Sequence, residues 1–178
     1  MPGSGLMIRI ATVDDANGIA RVQVAGWHAA YRGLMPDALL DRHTFDARAP
    51  RWRQNLSEVE PLRRTAVFER DGAVVGFATT GPSRDEHDAG EIWALYAHPA
   101  AWNSGVGRAL VEDGLAFLAP RGHASVMLWV LRGNTRAIRF YELAGFRLDG
   151  GAKVEDEVSE LRMRTTPQGG TRWKGRGT

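Results

Sequence analysis

The sequence predicts a single domain of the α/β (α+β) class, in which helices flank one sheet. Three observations lead to this prediction. Apolar runs of strand length are clustered around two well-formed amphipathic helical segments. The dipeptide Asp71-Gly72 between two such runs is a hairpin signal. A chain of 178 residues with 43% apolar and 25% charged side chains has the length and composition of one globular core.

The first half of the chain is predicted to hold a strand, helices and a hairpin. Thr12, followed three residues later by Asp15, resembles a capping box that opens a helix ending near Arg32. Pro36 suits the first turn of a second helix. The other predicted elements are a strand at 7–11, a helix at 46–56, hairpin strands at 65–69 and 73–79, and a strand at 91–97.

The second half contains the clearest helix. Residues 105–119 place Val106, Leu110, Val111, Leu115 and Leu118 on one apolar stripe. Residues 125–131 form a near-continuous apolar run, as expected for a strand covered on both faces. A further helix is predicted to begin at Asn134 and to end at Gly145. Short strands at 146–148 and 160–163 complete the prediction.

Composition excludes several classes of site. The chain has no cysteine, which removes disulfides, thiolate metal sites and a cysteine nucleophile. No metal centre is predicted. No apolar run is long enough to cross a bilayer, and residues 1–7 do not resemble a signal peptide. We therefore expect a cytoplasmic protein without membrane contact.

The net charge of +2 is unevenly distributed. Residues 165–178 contain three basic residues and no acid, so the body is close to neutral. A neutral body argues against a nucleic-acid partner, because such proteins usually present a basic face on the folded domain. We predict a domain over residues 1–166 and a flexible basic tail over 167–178, whose composition buries little surface. A role for this tail in nucleic-acid binding is an alternative that depends on Arg172, Trp173, Lys174 and Arg176.

The segment His98-Pro-Ala-Ala-Trp-Asn-Ser-Gly-Val-Gly-Arg108 joins a strand to a helix. The first N–H groups of a helix lack partners, the helix dipole places positive charge there, and glycines allow close approach of a ligand. This is typical of a phosphate or pyrophosphate site. A well-capped helix whose glycines pack on the sheet is an equally open interpretation. Leu110 excludes the dinucleotide pattern G-x-G-x-x-G, and no Lys-Ser/Thr pair supports a P-loop.

Residues 95–111, followed by Asn134-x-x-Ala-x-x-Phe-Tyr-Glu-x-x-Gly-Phe146, resemble the GCN5-related N-acetyltransferase (GNAT) family. The family pattern has a strand, then Arg/Gln-x-x-Gly-x-Gly/Ala opening a helix, then the Asn…Tyr…Gly-Phe helix. The resemblance extends over about residues 7–164. Two positions depart from the pattern: Trp102 stands at the Arg/Gln position, and Asn103 stands where glycine is common.

The resemblance implies the acyl-CoA N-acyltransferase fold, a single mixed, largely antiparallel sheet splayed between its fourth and fifth strands. Acetyl-CoA, the acetyl donor, would lie in the splay. Main-chain groups of the fourth strand would bind the pantetheine arm, backbone N–H groups after it the pyrophosphate, and one asparagine the cofactor arm. The implied cofactor-binding residues are Leu95, Tyr96, Ala97, Asn103, Ser104, Gly105, Val106, Gly107, Arg108 and Asn134.

The implied activity is transfer of an acetyl group to a primary amine of a small molecule or peptide, by direct attack in a ternary complex. Tyr141 is the predicted acid for the departing thiolate, since a phenol of pKa ~10 is protonated at neutral pH; the other interpretation is a core aromatic. Glu91 is the predicted base, acting directly or through water, or else a solvated charge at the strand end. A backbone N–H near Leu95 would stabilise the oxyanion.

Other interpretations stay open from the sequence. The chain is also interpretable as a catalytically weak acyl-CoA-binding or partner-binding module of the same fold. His28 and Tyr31 lie on the first helix, which lines the acceptor site in this family. The acidic loop residues Asp85, Glu86 and Asp88 suggest a cationic amine acceptor. A homodimer is common in the family.

Overall fold

The computed structural model of the chain describes residues 6–168. Most of the predicted tail, residues 169–178, lies outside the described residues. Its first residue, Pro167, is buried and so belongs with the body. No helix within residues 6–168 has the length and apolar character needed to span a membrane.

Seven strands form one sheet in the order β1-β2-β3-β4-β5-β7-β6. Only the β4–β5 pair is parallel, and the other neighbours are antiparallel. The strands are β1 (Leu6–Ile10), β2 (Arg64–Arg70), β3 (Ala73–Pro82), β4 (Ala89–Ala97), β5 (Ser125–Leu131), β6 (Arg147–Glu155) and β7 (Val158–Thr165). The helices are α1 (Ala16–Tyr31), α2 (Asp37–Leu40), α3 (Phe45–Ser57), α4 (Val106–Leu118) and α5 (Thr135–Leu143).

The predicted splay lies between β4 and β5. These strands pair only at Ala89↔Ser125, Gly90↔Val126 and Glu91↔Met127, although both continue beyond this point. The β3–β4 register shifts at the same level, because Thr79 faces Ala94 while Thr80 faces Ile92. The shift leaves Trp93 as an extra residue in β4, and a bulge of this kind bends a strand away from its neighbour. The mixed sheet with its splay is therefore confirmed.

The two faces of the sheet are covered by different helices. On one face α1 and α3 pack against Val67 and Phe77. On the other face α4 and α5 pack against Leu128 and Val130. The side chains of Phe77 and Ala78 belong to opposite clusters, as the alternation of side chains along a strand requires. Burial of both faces accounts for the continuous apolar run of β5.

The N-terminal capping prediction is also confirmed. The Asp15 carboxylate accepts a hydrogen bond of 2.8 Å from the backbone N–H of Thr12. The same carboxylate accepts two hydrogen bonds from Arg9, of 2.7 and 2.9 Å, which lower its pKa. A short turn of 3-10 helix, Val13–Asp15, therefore leads into α1.

The last two strands are much longer than the sequence patterns indicate. Gly150-Gly151 have the composition of a loop, but they belong to β6, which continues to Glu155 and is an edge strand whose register shifts between Leu148 and Ala152. The hairpin turn between β6 and β7 consists of Asp156 and Glu157, both with positive φ. This hairpin carries acids into the candidate site described below.

Gly76 in β3 sets how closely the start of α4 approaches the sheet. A Cβ at this position would lie 2.5 Å from Val106 Cγ1, far inside van der Waals contact. We expect Gly76→Ala to destabilise the protein by about 1–3 kcal/mol through overpacking, which lowers Tm by roughly 2–4 °C per kcal/mol in a chain of this size. Thermal unfolding measures the change. Combining Gly76→Ala with Val106→Ala should recover part of the loss, and strictly additive losses would contradict the assigned contact.

Candidate active site

The splay leaves one edge of β4 without a partner strand. Directly after β4, the N–H of His98 donates to the Val75 carbonyl of β3 at 2.9 Å. Every second residue counted back from His98 therefore directs its backbone N–H and C=O groups toward β3. Because the direction alternates along an antiparallel strand, the backbone groups of Leu95 and Ala97 face the opposite side. That side is the one β5 has left. The two residues predicted to bind a pantetheine arm through their main chain thus present unpaired backbone to the splay, whereas the Tyr96 backbone faces β3.

One of these backbone groups accepts a hydrogen bond from Trp102 in the structure. Its indole N–H donates to the Ala97 carbonyl at 3.0 Å. The guanidinium of Arg136, on α5, lies 3.5 Å from the centroid of the Trp102 ring. Trp102 therefore links the end of β4 to the start of α5 across the splay. This is the structural role of the residue that replaces the family's Arg or Gln.

The N-terminus of α4 has the geometry expected of an anion site. Asn103 (φ 60°) and Gly105 (φ 87°) adopt left-handed conformations that turn the chain into the helix. Within residues 6–168 the backbone N–H groups of Asn103, Ser104 and Gly105 donate no hydrogen bond. No side chain caps the helix at Gly105. The sequence-predicted segment therefore offers unused donors and the positive end of the helix dipole.

Arg70 adds a positive charge that sequence reasoning missed. Its guanidinium donates to Ser104 Oγ at 3.0 Å, and Ser104 Oγ donates to the Ala101 carbonyl at 2.6 Å. Arg70 ends β2, far from the motif in sequence, so only the pairing of β2 with β3 brings it to this helix terminus. Arg108, the predicted charge, instead forms an ion pair with Glu112 on its own helix at 2.8 Å.

The first turn of α4 lies close to α5, whose own N-terminus is capped by Asn134. A Cβ at Gly107 would lie 3.1 Å from Phe140, so this glycine allows the two helices to approach closely. Asn134 caps α5, since its side-chain oxygen accepts from the Ala137 N–H at 3.1 Å. Its amide nitrogen has no hydrogen-bond partner among residues 6–168 and remains available to donate.

Tyr141 is buried on α5, with its ring edge-on to Phe140 and Phe146 at centroid distances of 5.1 and 5.8 Å. Burial raises the pKa of its phenol well above the ordinary value, and the nearby Tyr96 raises it further. The hydroxyl is therefore protonated throughout the neutral range. Tyr141 is a core aromatic whose hydroxyl is protonated, so the two sequence interpretations do not exclude each other.

All three tyrosines of the chain meet at the splay. The hydroxyls of Tyr31, on α1, and Tyr96, on β4, lie 3.4 Å apart. Tyr141 approaches from the other face of the sheet, close enough that its charge would raise the pKa of Tyr31. Gly26 permits this arrangement, because a Cβ there would lie 3.3 Å from the Tyr96 ring.

Glu91 is fully buried, so it is not a solvated charge at the strand end. Its carboxylate forms an ion pair with the Arg84 guanidinium and accepts from the Arg84 backbone N–H at 3.0 Å. Arg84 also lowers the pKa of Glu160 on β7, a carboxyl whose pKa is raised on balance by burial. A single guanidinium therefore acts on both carboxylates.

A cavity of about 300 Å³ opens beside the tyrosine pair, on the α1 face of the splay. One wall carries Trp27, stacked on His43 at 3.7 Å, and Arg48, whose guanidinium lies 5.5 Å from the Trp27 ring. The opposite wall is the end of β5 and the β6–β7 hairpin. The lining residues are Trp27, Tyr31, Met35, Leu39, His43, Arg48, Tyr96, Leu131, Glu155, Asp156, Val158 and Glu160. We refer to it as the acceptor cavity.

The acids of this cavity differ from those that the sequence suggested. Glu86 pairs with Arg162 and with Arg164, and Asp85 accepts from the Trp129 indole at 2.8 Å. His28 contacts the His43 carbonyl at 3.3 Å and does not line the cavity, whereas Tyr31 does. Within residues 6–168, no three His, Asp or Glu side chains are grouped as a metal site would require.

Comparison with known proteins identifies the family. Residues 27–146 match the acetyltransferase (GNAT) family. The uncharacterized N-acetyltransferase YuaI of Bacillus subtilis is 30% identical over 79% of this chain and 87% of its own length. The chain belongs to the GNAT acetyltransferase family.

Other relatives fit this assignment. Mycothiol acetyltransferase of Thermobispora bispora is 42% identical over 45% of this chain, and the match spans 28% of that longer protein. The PaiA N-acetyltransferase of Thermoplasma acidophilum, solved in complex with coenzyme A, shares the fold with a TM-score of 0.72. It is 16% identical, and the match covers 91% of this chain and 99% of that one. The GNAT chain is thus an acetyl-CoA-dependent acyltransferase of bacterial type.

Arg70 provides a test of the anion site. Removing its charge should weaken coenzyme A binding about three- to tenfold, because an exposed charge-assisted contact to phosphate is lost. We expect Arg70→Gln to show this in a calorimetric titration, with no effect on pantetheine, which lacks the pyrophosphate. Arg121→Gln, at the opposite end of α4, is the matched control. Equal weakening of both ligands would show that Arg70 does not act on phosphate.

Proposed function

We propose that this GNAT protein transfers the acetyl group of acetyl-CoA to a primary amine of a small molecule or peptide, by direct attack in a ternary complex. The observation that carries the proposal is the continuity of the splay. The β4 backbone at Leu95 and Ala97, which has no partner strand, lies between the N-terminus of α4, on one face of the sheet, and the tyrosine pair with the acceptor cavity, on the α1 face.

The residues present fit the donor. The unused N–H groups from Asn103 to Gly105, with Val106, Gly107 and Arg108 in the first turn of α4, suit a pyrophosphate. Backbone groups of Leu95 and Ala97 suit the amides of a pantetheine arm, with the Ala97 carbonyl released when Trp102 moves aside. The free amide nitrogen of Asn134 suits an acceptor on the same arm. Tyr96 contributes its side chain rather than its backbone.

The reaction forms a carbon–nitrogen bond and breaks the carbon–sulfur bond of the thioester. The amine must be neutral when it attacks, the carbonyl oxygen must be stabilised as it gains charge, and the sulfur must gain a proton. The Leu95 N–H faces the splay and is the backbone donor for the oxygen. The absence of cysteine from the sequence is consistent with direct transfer to the amine.

Tyr141 is the proposed proton donor to the sulfur. Its raised pKa keeps the hydroxyl protonated, and its position among the other tyrosines brings it to the splay from the α5 side. The proton passes from the phenol to the thiolate, and the tyrosinate regains a proton from solvent once the products leave.

Glu91 is the proposed base, acting through water since Arg84 occupies its carboxylate. The bound ammonium loses one proton to solvent before attack. After attack the nitrogen loses its second proton to Glu91 through water, and Glu91 releases this proton to solvent once the products leave. A cytoplasmic location belongs to the same proposal, since acetyl-CoA is made and used inside cells. A homodimer stays a prediction.

The first test of the proposal is whether the protein binds the donor. Acetyl-CoA at a hundredfold excess over its Kd should stabilise the protein by about 2.7 kcal/mol, and thiol release should follow addition of a suitable amine. Lack of stabilisation by any acyl-CoA would overturn the proposal. Stabilisation without turnover over a broad panel of small amines and peptides would favour the alternative, a catalytically weak acyl-CoA-binding module.

Tyr141→Phe tests the acid. The variant keeps the buried ring but has no proton to give, so we expect kcat to fall about a hundredfold or more while KM for acetyl-CoA is unchanged. Initial rates of thiol release at varied acetyl-CoA give kcat and KM. Phe140→Leu, at the adjacent position, controls for loss of packing. If Tyr141→Phe keeps more than half of wild-type kcat, the hydroxyl is not the acid.

Glu91→Gln tests the base. The amide is nearly isosteric with the carboxylate but cannot act as a base, so kcat should fall about a hundredfold. Arg84→Met is the companion variant: it leaves Glu91 buried without its ion pair and should lower Tm. A Glu91→Gln variant with wild-type kcat and a lowered Tm would assign Glu91 a structural role alone.

A further inference from the structure

The acceptor cavity contains charges of both signs, and its half-buried guanidinium, that of Arg48, has no ion-pair partner in the part of the chain that the structure describes. The Arg48 guanidinium is half-buried, lies over the Trp27 ring, and forms no ion pair or hydrogen bond with any residue in 6–168. Arg48 pays a cost of desolvation, which lowers its pKa, and nearby Arg51 lowers it further. A half-buried cation left unpaired in a cavity is destabilising unless an anion joins it.

The opposite wall holds a carboxylate. Glu160, on β7, is half-buried and lines the cavity together with Tyr31 and Tyr96. Lys153 lies 3.6 Å from Glu160 and also 3.6 Å from Glu155, so it is shared between two acids. Glu155 and Asp156 are exposed at the mouth of the cavity, whereas Glu160 and Arg48 are both half-buried deeper within it.

The carboxylate and the guanidinium lie on opposite walls of the cavity. The tyrosine pair and Glu160 lie next to the splay, where the proposed chemistry takes place, and they suit the nitrogen of an ammonium group. Arg48 lies on the α3 wall over the Trp27 ring. Burial chiefly raises the pKa of Tyr96, and the charges of Arg48 and Glu160 act on it in opposite directions. The Trp27 indole N–H is buried and has no hydrogen-bond partner within residues 6–168.

We infer that the acceptor is a primary amine that also carries a carboxylate, with its nitrogen at Glu160 and the Tyr31–Tyr96 hydroxyls and its carboxylate on Arg48. The aromatic wall of Trp27 and His43 contacts the carbon skeleton between the two charges. This inference rests on the proposed function, because the same cavity serves both. It excludes plain diamines, which the acids at the mouth alone would have favoured.

Matched acceptors test this directly. Phenylalanine is compared with phenethylamine, and lysine with cadaverine, since each pair differs by one carboxylate. In the wild type, kcat/KM for acetyl transfer should be higher for the carboxylated member of each pair. Arg48→Met should lower kcat/KM for that member about ten- to a hundredfold, the usual cost of one charge-assisted hydrogen bond, and should leave its partner within about twofold. Arg51→Met, an exposed arginine on the same helix, should change neither.

Distinct results separate the two proposals. Preference for the decarboxylated member, or an equal loss on both members in Arg48→Met, would overturn the carboxylate assignment while leaving acetyl transfer intact. Failure to bind acetyl-CoA would overturn the proposed function instead. If no member is turned over, thermal shift with coenzyme A present decides the point: phenylalanine and lysine must stabilise wild type more than their partners do, and Arg48→Met must abolish the difference. Unchanged coenzyme A affinity in Arg48→Met verifies that the variant is folded.

Discussion

The structure depends on the early end of hydrogen bonding between β4 and β5. A strand that loses its neighbour in the middle of a sheet exposes N–H and C=O groups that must find other partners. Here the Trp102 indole takes the Ala97 carbonyl, and Leu95 remains unpaired. The bulge at Trp93 bends β4 at the level where pairing stops. The proposed binding of the donor by backbone groups depends on this one departure from regular sheet structure. Such binding tolerates side-chain substitutions such as Trp102 and Asn103.

The proposed acetyl transfer takes place where the splay opens a path between the two faces of the sheet. Tyr141 belongs to the α4–α5 layer, whereas Tyr31 and Tyr96 belong to the α1 layer, yet their hydroxyls interact electrostatically. A donor held along the β4 edge and an acceptor from the α1 side can meet only at such an opening. The glycines at 26, 76 and 107 hold the layers close enough for this contact.

Local patterns predicted what depends on local sequence. The β5 run, the α4 stripe and the Asp71-Gly72 hairpin were read within a residue or a few of their observed bounds. The order of segment 98–108 and the Asn134–Tyr141 helix predicted the family. The same order predicted a pyrophosphate site formed by backbone N–H groups. Sequence could not place Arg70, Arg48 or Glu160, because each reaches the site through strand pairing or helix packing over a long separation. β6 was underestimated because an edge strand tolerates the glycines that normally end one.

The three-residue parallel contact also has a consequence for how the chain folds. Strands β1 to β4 and strands β5 to β7 form two antiparallel sets, each continuous in sequence, and only the α4 crossover joins them. Hairpin contacts within β2–β3, β3–β4 and β6–β7 close short loops, whereas the parallel join must wait for a helix to form and dock. The splay is therefore also the boundary between two antiparallel sets of strands, and we expect pairing across it to form after the hairpins.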